Sequence, residues 1–149
     1  MIENSNEKET TVNYHFLTYA LYCKIVLTFF FWALPLLLFP DSLIQALGLP
    51  IVSPKYFSQL LGFAYLSLTI GYVYALQLIR KNIFPEGIVI MGVISNFGAS
   101  LILFYNAITL SFANLSSFGS FFMYFSILAT GVIACSLLIE LIRKRYFIR

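Results

Sequence analysis

The chain has 149 residues, of which 60% are hydrophobic and 10% charged, with a formal charge of +3. Soluble domains are about 45–50% apolar and about 25% charged, so a water-soluble globule is excluded and a bilayer is the expected solvent. The small positive charge sits mainly at segment ends, which gives no footprint for nucleic acid.

The opening stretch MIENSNEKETTVN is polar and acidic. It is unlike the positive start of a secretory signal, and no small-residue cleavage pattern follows, so the tail 1–15 is read as leading into a retained helix. His15 is the chain's one histidine, which leaves haem or metal ligation without partners.

About 20 mainly apolar residues cross a hydrocarbon core, and four stretches qualify. The first is 16–39, interrupted by Lys24 and carrying Pro35 near its far end; Tyr14, Tyr19 and Tyr22 suit a headgroup interface, to which the lysine is expected to snorkel. The second, 56–79, is closed by Arg80 and Lys81. The third, 88–107, follows Pro85 and Glu86, residues that favour a helix start. The fourth, 118–142, ends at Arg143, Lys144 and Arg145. None alternates apolar and polar residues as a membrane β-strand does. The fold class expected is therefore all-α, an integral membrane bundle of four transmembrane helices forming a single membrane domain over 1–149.

Orientation follows from basic residues. With the N-terminus inside, Lys8, Lys24, Arg80, Lys81, Arg143, Lys144, Arg145 and Arg149 share one side and Lys55 stands alone on the other, so both termini are expected in the cytoplasm. In the first external loop, Asp41 and Ser42 offer a helix start, Leu43, Ile44 and Leu47 share a face, and Gly48 and Pro50 stop it. A short amphipathic helix lying in the outer interface fits this pattern. No connection is long enough to fold alone, so any chemistry sits between helices or at the membrane surface.

Between helices in lipid, close packing and hydrogen bonds replace the hydrophobic drive. Small residues recur every four positions as Ser67, Gly71 and Ala75 in the second span, Gly92, Asn96 and Ser100 in the third, and Ser126, Thr130 and Ala134 in the fourth. These are expected packing seams, with a ligand groove as the alternative. Asn96 carries an amide that lipid cannot satisfy and is expected to face inward, as interhelical glue or as a contact for a headgroup or quinone oxygen. Lys24 and Glu140 are the charges inside the apolar stretches, both expected near the cytoplasmic boundary. They can pair with each other, or Glu140 can pair with Arg143 or Lys144 along its own helix. Cys23 and Cys135 are isolated and form no C-x-x-C pair. Asn114-Leu115-Ser116 matches a glycosylation acceptor, a weak three-residue pattern. His15 and Asp41 are expected on opposite sides, so no Ser-His-Asp arrangement arises. The aromatics from Phe112 to Phe125 fit an interfacial belt or a stacking surface for a flat ligand.

The stretch Leu34-Pro35-Leu36-Leu37-Leu38-Phe39-Pro40, then Ala46-Leu47-Gly48-Leu49-Pro50, FSQLLG at 57–62 and Thr69-Ile70-Gly71-Tyr72 resembles the small four-helix membrane proteins of the DoxX-like group. The resemblance covers about 40 residues closely and the remainder in span count. It implies a bacterial inner-membrane protein; some relatives are linked to quinone-dependent sulfur oxidation or redox-stress complexes. No catalytic residues carry over, because the chain shows no charged or thiol motif that would define them.

Three functions compete. The first is a non-catalytic multi-pass protein, a partner subunit or lipid-contacting scaffold, with membrane lipids, other membrane subunits or a second copy as partners and no cofactor. The second is a membrane subunit of a quinone-linked redox complex, with Asn96 or Tyr72 as donor to a quinone carbonyl. The third is a small exporter, which wants a carboxylate deep in the membrane where this chain has only Glu140 near an end. The residues favour the first.

Overall fold

A computed structural model of the chain describes residues 14–109 and 112–147. The polar tail up to residue 13, including Lys8, lies outside the described residues, as do residues 110–111 and the C-terminal Arg149. The elements are α1 (His15–Thr28), a π-helical turn (Phe29–Ala33), α2 (Leu34–Leu38), α3 (Asp41–Ala46), α4 (Lys55–Arg80), α5 (Glu86–Ile108) and α6 (Ser117–Phe147). The first three run together, so four helices are long and apolar enough to cross a membrane: His15–Leu38, Lys55–Arg80, Glu86–Ile108 and Ser117–Tyr146. No strand occurs among the described residues.

The first span is not a uniform helix. Pro35 has no N–H and its ring crowds the carbonyl four residues back. The chain answers with a wider turn just upstream, in which Leu34 N–H donates to Phe29 O, five residues back. Such turns re-satisfy backbone groups that a proline frees in lipid. They also shift the side chains that follow, here Phe31 and Trp32, relative to an uninterrupted α-helix.

Two helix ends are closed by residues in the left-handed region. Asn82 (φ 58°) follows α4, with its own N–H on Ile79 O and that of Ile83 on Leu78 O. Gly48 (φ 69°) follows α3, with its N–H on Gln45 O and that of Leu49 on Ile44 O. Both are Schellman closures. At Gly48 the absent Cβ matters twice, because one built there would fall within 2.5 Å of the Ser116 side chain. Ser116 caps α6 by accepting from Gly119 N–H (3.0 Å) and donates to Leu47 O (3.2 Å). The first loop is thereby fastened to the start of the last helix. The last helix in turn continues past Ile142 through Arg143, Lys144 and Arg145.

Around the bundle the order is α1, α4, α5, α6, with α5 against α6 the most extensive seam and α4 against α5 the slightest. The first span and α5 are therefore diagonal. The buried core joins Leu17 and Leu21, Tyr72, Ala75 and Leu76, Val89, and Ile133 and Leu137, one cluster drawn from all four spans. Large apolar residues such as Phe30, Leu60, Ile70, Ile94, Leu101 and Leu128 remain exposed on the outside, as a lipid-facing surface requires.

Charges close the two ends. Lys144 pairs with Glu86 at 2.5 Å and stands over the Phe84 ring, which ties the last turn of α6 to the start of α5. Lys55 pairs with Asp41 at 2.8 Å and donates to Phe39 O at 2.7 Å, which ties the start of α4 to the first loop. One end thus carries Arg80, Lys81, Arg143, Lys144 and Arg145, and the other Lys55.

Candidate functional site

Lys24 does not snorkel. It is the tenth residue of the first span, roughly 14 Å along the helix axis from His15. Its side chain turns inward and is 8% exposed. The ammonium crosses the diagonal to donate to Asn96 Oδ1 at 2.5 Å. Asn96 is itself the eleventh of 23 residues in α5 and 1% exposed. The outward reach expected of the Lys24 side chain is corrected accordingly: it turns to a partner inside the bundle, in reach of a four-carbon stem.

Asn96 uses both ends of its amide. Oδ1 accepts from Lys24 and Nδ2 donates to Gly92 O at 2.5 Å. Tyr72, fully buried on α4, presents its ring face to the Lys24 ammonium at 5.9 Å from the centroid. The Tyr72 hydroxyl stands near Ser95 and Asn96 without meeting either in hydrogen-bond geometry, and it has no partner. Gly92 makes the approach possible: a Cβ there would lie 2.7 Å from Leu137 Cδ1 and 3.4 Å from the Tyr72 ring. Residues from all four spans therefore meet at one level, with Lys24 and Asn96 on one diagonal and Tyr72 and Leu137 on the other.

Lys24 and Glu140 do not meet. Glu140 is buried and pairs within α6 with Arg143 at 3.5 Å. The three small-residue stripes separate in role. Gly92 and Ser100 lie in the α5–α6 seam, where Ser100 Oγ donates to Ile127 O at 3.2 Å and approaches Gly131. Ser126 and Thr130 bond carbonyls of their own helix, and Ala134 is buried. On α4 Ala75 is buried, but Ser67 is exposed and bonds Phe63 O, while a Cβ at Gly71 would meet only Met91 at 3.7 Å. The tight glycine of α4 is Gly62, where a Cβ would sit 2.8 Å from Leu37.

Two hollows adjoin along the first span. The lower is a cleft between α1 and α6 with about 20 Å³ of room, walled by Lys24 and Thr28 on one side and Ser126 and Thr130 on the other. The upper is a larger, open-sided hollow of about 300 Å³, lined by Trp32, Pro35, Leu36, Ile44, Leu61 and Met123 among others. Phe31, Trp32 and Phe122 belong to both and form the partition; the Trp32 and Phe122 centroids are 5.5 Å apart. The first loop and α3 wall the upper cavity on the side of Asp41.

Sequence reasoning missed Thr28, the π-helical turn and the partition. Thr28 lies one helical turn from Lys24, a spacing that could have flagged it. Pro35 signals a disturbed helix but not the wider turn. Among the described residues no three of His, Cys, Asp or Glu gather as metal ligands, and Cys23 and Cys135 are exposed and free. Comparison with family models, with curated proteins and with solved structures gives no match.

Proposed function

We propose that this chain is a non-catalytic multi-pass protein of the bacterial inner membrane, a lipid-contacting subunit that holds a lipophilic molecule inside its bundle. The observation that carries the reading is the apolar cavity of about 300 Å³, at the lower end of the range that ligand sites occupy. Its walls come from three spans and the first loop, and the loop is fastened by the Ser116 and Lys55 contacts. The DoxX-like resemblance supplies the family reading. In this reading both termini are cytoplasmic, and α3 lies in the outer interface as the roof of the chamber.

The test is purification from native membranes in mild detergent, with mass spectrometry of the molecules and proteins retained. A lipophilic molecule near one per chain is the expected result, and Met123→Trp, which takes up part of the cavity, weakens retention. Retention of nothing by the wild type overturns the proposal.

A second reading, the quinone-linked redox subunit, is favoured by the aromatic walls of the upper cavity, where Trp32, Phe118 and Phe122 can stack on a ring. The same extract decides it through the identity of what is bound.

A further inference from the structure

Every acid among the described residues already has a cation. Asp41 holds Lys55, Glu86 holds Lys144 and Glu140 holds Arg143. Lys24 is the buried cation left with neutral partners, an amide oxygen and a ring face. A charge at this depth is costly, and such residues mark functional sites.

Hydroxyls point to the same spot. Ser67, Thr69, Ser126, Thr130 and Ser136 each donate to the carbonyl four residues back in their own helix. Thr28, 1% exposed and one turn from Lys24, does not, and its Oγ1 has no partner. A buried unsatisfied group of this kind calls for a partner, such as a water or an ion. Thr28 and Lys24 both wall the lower cleft.

Size then selects the species. The lower cleft, at about 20 Å³, admits one water-sized group, such as a single carboxylate oxygen, far short of the roughly 150 Å³ in which a benzene ring is held. The upper cavity takes a chain and offers almost no polar wall beyond Asp41 and Ser58. A small anionic head on an apolar tail matches both hollows.

We infer that the bundle binds a free fatty acid, its hydrocarbon tail in the upper cavity and its carboxylate at the lower cleft against Lys24 and Thr28, the Trp32 and Phe122 rings between the two hollows parting to admit it. Lys24 lines the cleft, so rotation of its flexible side chain away from Asn96 brings the ammonium to the head. The inference rests on the upper cavity being a lipid chamber, and its test separates the two.

The full chain in maltoside micelles is titrated with palmitate and with hexadecanol, the same chain length without the charge. Palmitate binds about tenfold or more tighter, as a charge-assisted hydrogen bond predicts. Lys24→Met brings the two affinities together. Thr28→Val, close in shape, weakens palmitate about threefold and leaves hexadecanol unchanged; it decides the matter if Lys24→Met does not fold. Equal binding of acid and alcohol to the wild type overturns the head-group assignment and leaves the chamber standing. A preference for the acid that survives Lys24→Met also overturns the assignment. Binding of neither probe overturns both readings, and tighter binding of decylubiquinone than of palmitate replaces the fatty acid with a quinone.

Discussion

At the scale of single residues the bond between Lys24 and Asn96 sets the energetics of the bundle's centre. Removing the amide leaves a buried ammonium with only a ring face, so Asn96→Leu is expected to destabilise by about 2 kcal/mol. Combining it with Lys24→Met restores part of the loss. A double-mutant cycle by thermal unfolding in detergent should give a coupling on the order of 1 kcal/mol, within the range measured for interhelical polar contacts; strict additivity would show that the two side chains do not bond. The inward direction of Asn96 was legible because an amide has no partner in lipid. The inward direction of Lys24 was not. Its stem is long enough for either the headgroups or the interior, and the choice depends on an acceptor 72 residues away in sequence. Glu140 was easier, since Arg143 stands three residues on along the same face.

At the scale of the elements, glycine sorts tight seams from loose ones. Gly92→Ala places a methyl 2.7 Å from Leu137 Cδ1 and is expected to cost about 1–3 kcal/mol as overpacking. Gly71→Ala meets only Met91 at 3.7 Å and should change stability by less than about 0.5 kcal/mol. Unfolding midpoints of the two variants side by side check this; equal losses would mean that the α4 face is as closely packed as the α5–α6 seam. Spacing alone could not rank these glycines, because a four-residue repeat identifies a stripe without saying which neighbour leans on it. Loop anchoring gives a third measurement. Ser116→Ala removes the cap of α6 and the donor to Leu47 O together, and a loss of about 1 kcal/mol is expected. Faster amide exchange across residues 41–49 would report the released loop. Helix ends followed chemistry that sequence shows in part. Asn82 and Gly48 fit the left-handed closures, whereas α6 runs past its apolar stretch to Phe147, because basic residues suit a helix C-terminus even after the hydrocarbon ends.

At the scale of the whole molecule, four long apolar runs gave the four spans directly, since length and hydropathy are what a bilayer demands. The bundle order and the two hollows were not legible, because they depend on which faces meet and on a turn that Pro35 widens. The proposed sidedness has a direct check. A reporter fused after Arg149 should be active only in the cytoplasm and one inserted at Ser53 only outside; activity of both on one side would break the up-and-down arrangement. The diagonal bond also has a consequence for biosynthesis. Lys24 is made 72 residues before Asn96, which at ribosomal speeds is roughly 4–14 seconds. Throughout that interval the acceptor that Lys24 meets in the folded bundle has not yet been made. The first span's residence in the bilayer must await α5 or be sheltered by the insertion machinery, so a chain truncated after α4 should leave the first span exposed to the quality-control proteases that survey unpartnered membrane segments.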